Sequence, residues 1–584
     1  MSEEEKLSSY LSKSKLISNS NYEKKIRIAI LGGFTLNGLE ETMRVKCDEK
    51  KIQCTTFVSG YNQYNQEILD EKSQLYKFSP DITFLIIDSR NALGEFFLNP
   101  YSISAEERKR FVEDKSNEII NLAKELVKKS KSKLVISNFS ILSYSPIGIN
   151  EIKEEFGLHD MIRSLNQNIK IGLRLEPEIF IYDLNSFVTK FGENNVFNYK
   201  QFFYGDIRIS LHCIPYLAEE LIGYVTAVLG LSKKCLVLDL DNTLWGGIIG
   251  EDGIEGIKLG DDPVGRSYVE FQHNLLALNQ RGILLAINSK NNFDDAIQVI
   301  NEHPNMVLKQ DNFACIRINW NDKVANMKEI SDELNIGLDS MVFVDDDPAN
   351  IEYVSSNLPE ISSIHMSAEQ CHNNSRSIRS ISSFFNVLKI TDEDKTRNKM
   401  YLEQRKRSEL KTQAGNLDEF LKQMGISVHI KNADDFTIPR ISQLTLKTNQ
   451  FNLTTRRYQE EDIRKFLQNS EKIVGCAQIQ DKFGDNGITS VYIINKENEQ
   501  EWFIDTFLLS CRVIGRGVEE ALLSQIIKKA KKEGVKKVKA QYIKTKKNKP
   551  TENFLSDFGF VRDSDTWIFE TEKPIKKLEH MEIS

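Results

Sequence analysis

Two aspartates close a short apolar run where Leu236-Val237-Leu238 leads into Asp239-Leu240-Asp241-Asn242-Thr243. In an extended backbone, residues two apart share a face, so both carboxylates point the same way. One can attack a phosphoryl group while the other manages protons. The same oxygens are hard ligands suited to Mg²⁺. Acidic pairs are common on surfaces, so the pair gains weight only from residues further along the chain. Ala286-Ile287-Asn288-Ser289-Lys290-Asn291 sets a hydroxyl at the end of another apolar run. Lys323 lies 34 residues later, in Asn319-Trp320-Asn321-Asp322-Lys323. Val342-Phe343-Val344 then runs into Asp345-Asp346-Asp347-Pro348. Nucleophile, hydroxyl, lysine and acidic pair, in that order, suit phosphoryl transfer. Metal and lysine offset charge on the phosphoryl oxygens, and the hydroxyl positions one of them. The bland alternative, a set of capped turns, requires four motifs to fall into register by chance.

These residues need a sheet to gather them. The pattern predicts an α/β chain of three globular segments, against a length prior of roughly four. The first spans 24–225, with candidate strands at Ile26–Leu31, Gln53–Val58, Ile82–Ile87, Lys133–Ile136 and Ile179–Tyr182. Ser104 and Glu107 form a capping-box pattern ahead of a helix whose Ile119, Ile120, Leu122, Ala123, Leu126 and Val127 follow helical spacing. Strands alternating with helices argue for a parallel sheet. The second segment, 233–390, repeats the rhythm with strands Cys235–Leu238, Ile283–Ile287 and Met341–Val344, each ending in polar residues. Open α/β sheets bind ligands outside the carboxyl ends of their strands. The charged stretch 391–412 reads as a linker helix, and 413–575 as the third segment.

The order of motifs resembles the haloacid dehalogenase-like phosphatase superfamily. That resemblance implies a Rossmann-like domain with Asp239 as nucleophile and Asp241 as general acid/base. It implies Ser289 and Lys323 as phosphate binders, and Asp239, Asp345 and Asp346 at Mg²⁺ with the backbone carbonyl of Asp241. A longer match is similar to the FkbH-like group (subfamily IIIC). It runs through Lys234–Gly247, Gly250-Glu251-Asp252-Gly253, Glu333–Ser340 and Lys447–Arg457. Asp347 departs from it, since many relatives carry Asn there. Independently, only 50 residues separate Asp239 from Ser289, and Trp245–Gly260 has room for no more than a small hairpin. The site is therefore expected to lack a cap domain; it can then admit a large substrate, or another domain can shield it.

In the third segment, Trp502–Leu509 reads as a strand, followed by Arg512-Val513-Ile514-Gly515-Arg516-Gly517 and a helix Val518–Ala530. Backbone amides in an R-x-x-G-x-G loop can cradle a pyrophosphate. With the next strand, Lys537–Ile543, and a helix at Asn553–Phe558, this resembles a GNAT-like α+β acyltransferase fold. The resemblance implies Arg512, Gly515 and Gly517 as binders of pantetheine, from coenzyme A or a carrier protein. The bland reading of the loop is a helix-starting turn. Between Lys528 and Lys549 lie 11 lysines. They form either a solvated face or a docking patch for an acidic carrier. The first segment resembles a flavodoxin/SGNH-like domain, but Leu31-Gly32-Gly33-Phe34-Thr35 lacks the Gly-Asp-Ser nucleophile, and Asp206 and His212 are not spaced as Asp-x-x-His. A non-hydrolytic role is expected there.

The 584 residues carry a net charge of −7, which argues against nucleic acid as partner. No apolar run reaches the ~18 residues of a membrane span. Eight cysteines include no C-x-x-C pair, so a reduced, cytoplasmic protein is the expectation. Cys235, in a central strand, is expected to be buried and inert, and Cys511 is a second thiol candidate for carrying an acyl group. The FkbH-like resemblance implies loading of a glyceryl unit from 1,3-bisphosphoglycerate, a phosphorylated three-carbon donor, onto an acyl carrier protein in polyketide-type biosynthesis. The alternatives are a phosphatase or acyl modifier in surface-polysaccharide synthesis and a non-catalytic carrier-docking scaffold.

Overall fold

The computed structural model describes residues 6–17, 22–391, 394, 397, 399–401, 403, 417–575 and 581–584. The chain divides into two compact units, Met1–Leu229 and Gly230–Ser584. The second unit holds two sheets, so the expected second and third segments share one compact body.

The first unit is a five-stranded parallel sheet. Its strands are β1 (Lys24–Gly32), β2 (Ile52–Val58), β3 (Ile82–Ile86), β4 (Lys133–Ser137) and β5 (Ile179–Tyr182), in the order 2-1-3-4-5. That is the flavodoxin-like doubly wound order. Helices cover both faces, so the strands read as near-continuous apolar runs; Ile28 to Leu31 are all buried. The helix Ala105–Lys129 begins at the expected box: the Ser104 hydroxyl accepts from the Glu107 amide, and the Glu107 carboxylate accepts from the Ser104 amide.

In the second unit the first sheet is again parallel. It consists of β6 (Cys235–Leu238), β7 (Leu284–Ser289), β8 (Phe313–Ile318), β9 (Met341–Asp345) and β10 (Ser362–His365). The order β10-β9-β6-β7-β8 places the reversal of chain direction between β6 and β9. A crevice opens at such a switch point beyond the carboxyl ends. Strands β8 and β10 were not among the expected ones. The first mixes Arg317 into its apolar run, and the second is a short edge strand of sequence Ser-Ser-Ile-His with only partial burial. The Trp245–Gly260 insert is not a hairpin. It is a helix, Ile249–Gly256, broken at Gly253 and closed by one antiparallel bridge between Gly246 and Lys258. Ile249 and Ile257 pack into the domain core, which holds the helix down where a hairpin would leave them in solvent.

The last sheet contains β11 (Ile426–Asn432), β12 (Phe451–Asn452), β13 (Lys472–Asp481), β14 (Gly484–Asn498), β15 (Glu501–Leu509), β16 (Lys537–Ala540), β17 (Val561–Asp563), β18 (Thr566–Glu570) and β19 (Met581–Ile583). Its pairs are antiparallel except β15 with β16 and β11 with β19. The helix after the glycine loop spans Val518–Lys532, and β16 stops at Ala540, short of the expected Ile543. Of the linker helix expected at 391–412, Asp394, Arg397, Lys399–Tyr401 and Glu403 are helical and Thr391 is not; the rest lies outside the described residues. Among the described residues no helix is long and apolar enough to cross a membrane.

Candidate active site

Parallel pairing aligns the ends of β6, β7 and β9. Leu238 stands opposite Val344 on one side and Ile287 on the other, and the Asp239 amide donates to the Val344 carbonyl at 3.0 Å. Asp239 and Asp345 therefore leave adjacent strand ends side by side, and Ser289 closes β7 beside them. Carboxylate oxygens of Asp239, Asp345 and Asp346 lie within 4.8 Å of one another. Lys323, the first residue of the helix Lys323–Leu334, enters this cluster from the end of β8. Its ammonium donates to Asp239 Oδ1 at 2.6 Å and to the Asn288 carbonyl at 2.7 Å, and pairs with Asp345 Oδ2 at 3.0 Å. Lys323 is 1% exposed and Asp345 is fully buried. All three ammonium protons are thus used inside the protein.

Burial raises the Asp345 carboxyl above its ordinary range, and the charge of Asp239 adds to the shift. Asp346 is pushed up to about 6, first by burial and then by Asp239 and Asp345. For Lys323, burial works to lower the pKa, but the Asp239 and Asp345 carboxylates outweigh it and hold the ammonium above its usual value. Three acids against one ammonium leave an excess of negative charge in a half-dry crevice. That donor set, all carboxylate oxygen, fits a hard divalent cation.

The Asp241 carboxylate is not among the converging three. Its Oδ1 accepts from Trp245 Nε1 at 2.9 Å and from the Ile249 amide at 3.1 Å, and its Oδ2 accepts from Asn291 Nδ2 at 2.9 Å. The helical insert thereby fixes the orientation of this side chain. Burial raises the Asp241 pKa despite these three donors. Ser289 is buried, and its Oγ accepts from the same Asn291 amide at 3.2 Å.

Several residues that sequence reasoning passed over complete the site. Asn291 ties Asp241 to Ser289. Asn350 donates to both Asp345 oxygens, at 3.2 and 3.4 Å. Asn288 and Asn326 hold the start of the Lys323 helix through bonds of 2.9 and 3.0 Å. The signal for Asn291 was its place two residues after Ser289; Asn350 and Asn326 lie inside helices and carry no local mark. The third acid, Asp347, caps the helix Pro348–Asn357 through the Ala349 amide and is not part of the cluster. Around the open rim, Ile248, Phe293 and Trp320 stand exposed after β6, β7 and β8, with Trp320 at 76%.

Residues 27–226 match the family model for the FkbH N-terminal domain. The chain is also similar to the N-terminal part of the protein BF1531 from Bacteroides fragilis, described as containing a phosphatase domain and complexed with Mg. The two share 26% identity over 66% of this chain and 99% of that one, with a TM-score of 0.60. The ribosomal-protein-S18-alanine N-acetyltransferase from Escherichia coli covers 26% of this chain and 98% of its own at 13% identity, with a TM-score of 0.21. A GNAT-family acetyltransferase from Staphylococcus aureus covers 25% of this chain and 99% of its own at 11% identity, with a TM-score of 0.20. No curated protein matches.

The other expected residues lie apart from this site. In the first unit, Asp206 accepts from Tyr61 Oη at 2.7 Å and from Arg208 Nε at 2.9 Å, while His212 is exposed. Arg208 also pairs with Asp88 at 2.5 Å, so an arginine ion network stands beside the Gly33–Thr35 turn. Cys235 is fully buried, which pushes its thiol pKa up, and Cys511 is half-buried. In the C-terminal loop, Arg512 is buried and donates to Ser510 Oγ at 3.3 Å and to Met400 Sδ. The Gly515 amide donates to Glu519 Oε1 at 3.2 Å.

Proposed function

We propose that this chain is an Mg²⁺-dependent phosphatase and glyceryl transferase. It would take a glyceryl unit from 1,3-bisphosphoglycerate and deliver it to the phosphopantetheine thiol of an acyl carrier protein. The observation that carries the phosphoryl-transfer part is the buried Lys323 ammonium bridging Asp239 and Asp345 at the switch point, with Asp346 alongside. The likeness to FkbH and to a phosphatase-domain protein complexed with Mg supports the same reading.

Asp239, Asp345 and Asp346, with the Asp241 carbonyl, would hold the cation. When bound it would offset negative charge on the incoming phosphoryl group and on the nucleophile. The Asp239 carboxylate attacks phosphorus and the bond to the leaving oxygen breaks; Asp241 supplies a proton to that oxygen. Ser289 Oγ would hold one phosphoryl oxygen, and Lys323 would bind a second by turning one ammonium proton from Asp239 or Asp345 to the phosphoryl group as those carboxylates engage the cation. Water then attacks the aspartyl-phosphate, gives its proton back to Asp241, and releases phosphate. The donor has two phosphates of different chemistry, a monoester and an acyl phosphate. The first suits the aspartate route, and the second makes the acyl group transferable to a thiol with phosphate as leaving group. An open rim without a cap domain suits a substrate presented on a carrier arm.

Phosphate release from 1,3-bisphosphoglycerate with Mg²⁺, compared between wild type and Asp239→Asn, tests the first half. Equal rates would reject it. Intact-mass analysis of carrier protein incubated with enzyme and donor tests the second. A carrier of unchanged mass would move the acceptor toward a sugar-linked molecule.

A further inference from the structure

The C-terminal sheet keeps the outline of an acyl-donor site but has filled it from within. Strands β15 and β16 pair in parallel only from Glu501 with Lys537 to Ile504 with Ala540. Beyond that point β14 occupies one edge of β15, and β12 pairs with Leu508 and Leu509 on the other, the side that β16 has left. The Leu453 amide donates to the Phe507 carbonyl at 3.1 Å, and the Thr454 hydroxyl to the Asp505 carbonyl at 2.8 Å. On the far side the Ile543 amide donates to the Leu453 carbonyl at 2.8 Å, and Asn548 Nδ2 to the Asn452 carbonyl at 3.0 Å. Phe451 packs its ring against Phe507 and Phe554. The wedge an extended thioester arm would enter as an added strand is occupied by the chain's own residues 451–454.

The glycine loop is spoken for as well. Gly515 and Gly517 take positive φ, 76° and 80°, a backbone requirement that explains both glycines without any ligand. The Gly515 amide is held by Glu519, and Glu519 and Glu520 put negative charge in the helix's first turn, where a pyrophosphate would sit. Arg516 is buried against Asp481. The loop's opposite side grips the phosphatase domain. Asn335 Nδ2 donates to the Cys511 carbonyl at 2.6 Å, and the Cys511 side chain packs in the cluster of Leu334, Ile336 and Leu338. Lys547 pairs with Asp339 along the same seam. Asn335 is the C-cap of the helix whose first residue is Lys323.

We propose that residues 510–517 form an intramolecular clasp, not a nucleotide cradle. The C-terminal domain takes no coenzyme A, and it positions Lys323 by anchoring the far end of its helix through Asn335. The positioning half rests on the phosphatase reading; the binding half does not.

The experiment has two arms on the full chain. Coenzyme A and acetyl-CoA, titrated by calorimetry, are expected to give no binding heat. A Kd below about 100 µM would overturn the plugged wedge. Asn335→Gly keeps a residue suited to the cap's positive φ of 49° and removes the donor. Hydrogen exchange of amides in Lys323–Leu334 should quicken about tenfold, and kcat for phosphate release should fall about threefold with KM unchanged. Lys547→Met, at an exposed position, should move both in the same direction by less. Unaltered exchange in that helix in both variants would overturn the clasp, whether or not the wild type releases phosphate.

Discussion

Lys323 and Arg512 both stand where a strand gives way to a helix, Lys323 as the first helical residue after β8 and Arg512 in the loop after β15, yet their surroundings differ. Lys323 is aimed at two carboxylates that repel one another and a third close by. Arg512 is turned toward a hydroxyl and a thioether. Gathering like charges in a buried crevice is costly, and a fold keeps such an arrangement where a ligand or a reaction uses it. Arg512 is buried in a loop whose Cys511 carbonyl is held by Asn335, a place where a cation serves to hold the chain's own shape. The contrast separates two motifs that look equally functional on paper.

The most direct way to break this contrast is Asp239→Asn. Phosphate release should fall by about three orders of magnitude or more, because the nucleophile is gone. Arg512→Lys should leave the rate within about twofold, so equal losses in the two variants would erase the distinction.

Lys323→Met comes next. It strands Asp239 and Asp345 together without their cation, so urea denaturation should show about 3–5 kcal/mol lost, along with activity. An unchanged midpoint would mean that the ammonium is not structurally coupled to the acids.

Asn291→Ala removes the amide shared by Asp241 and Ser289. Steady-state kinetics should show kcat down about tenfold with stability nearly kept; a wild-type rate would confine Asn291 to packing.

A fourth prediction concerns charge away from the site. Lys447, half-buried, is lowered from its ordinary 10.5 to about 7 by burial first and then by Arg397, Lys234 and Arg440, with Asp394 opposing. Between pH 7 and 10.5 the unfolded chain binds this proton and the folded chain does not, so stability rises with pH across that window. Below it both states are protonated and the burial penalty is full. Lys447→Met should be more stable than wild type at pH 7 and flatten the slope above it; an identical slope would reject the shift.

The smallest effect is expected at the basic stretch. Lys539 is held by Glu497 and Glu501, Lys531 by Glu572 and Lys544 by Glu552, as on an ordinary solvated face. Reversing Lys536 and Lys537 should slow carrier loading about two- to threefold without touching phosphate release. Unchanged loading would remove the docking patch.

Sequence reading reached the site through strand ends. An apolar run closed by Asp-x-Asp, Ser or Asp-Asp is a local signal, and β6, β7 and β9 begin or end within a residue or two of their expected bounds. It missed β10 because a polar edge strand lacks an apolar run, and it read a hairpin where Ile249 and Ile257 are drawn into a core that no local pattern reveals. Asn350 and Asn326 escaped because helical residues gain their role from what lies across the sheet.

The order and spacing of the acids, the hydroxyl and the lysine, and hence the chemistry available, were determined by the sequence alone, since strand period and strand ends are short-range properties. Whether each loop faces an open crevice or its own protein was decided only by tertiary structure. Parallel pairing brings Asp239 beside Asp345, 106 residues apart, and residues 451–454 fill the gap beside Leu508. Such juxtapositions depend on contacts between distant segments, which no local window contains.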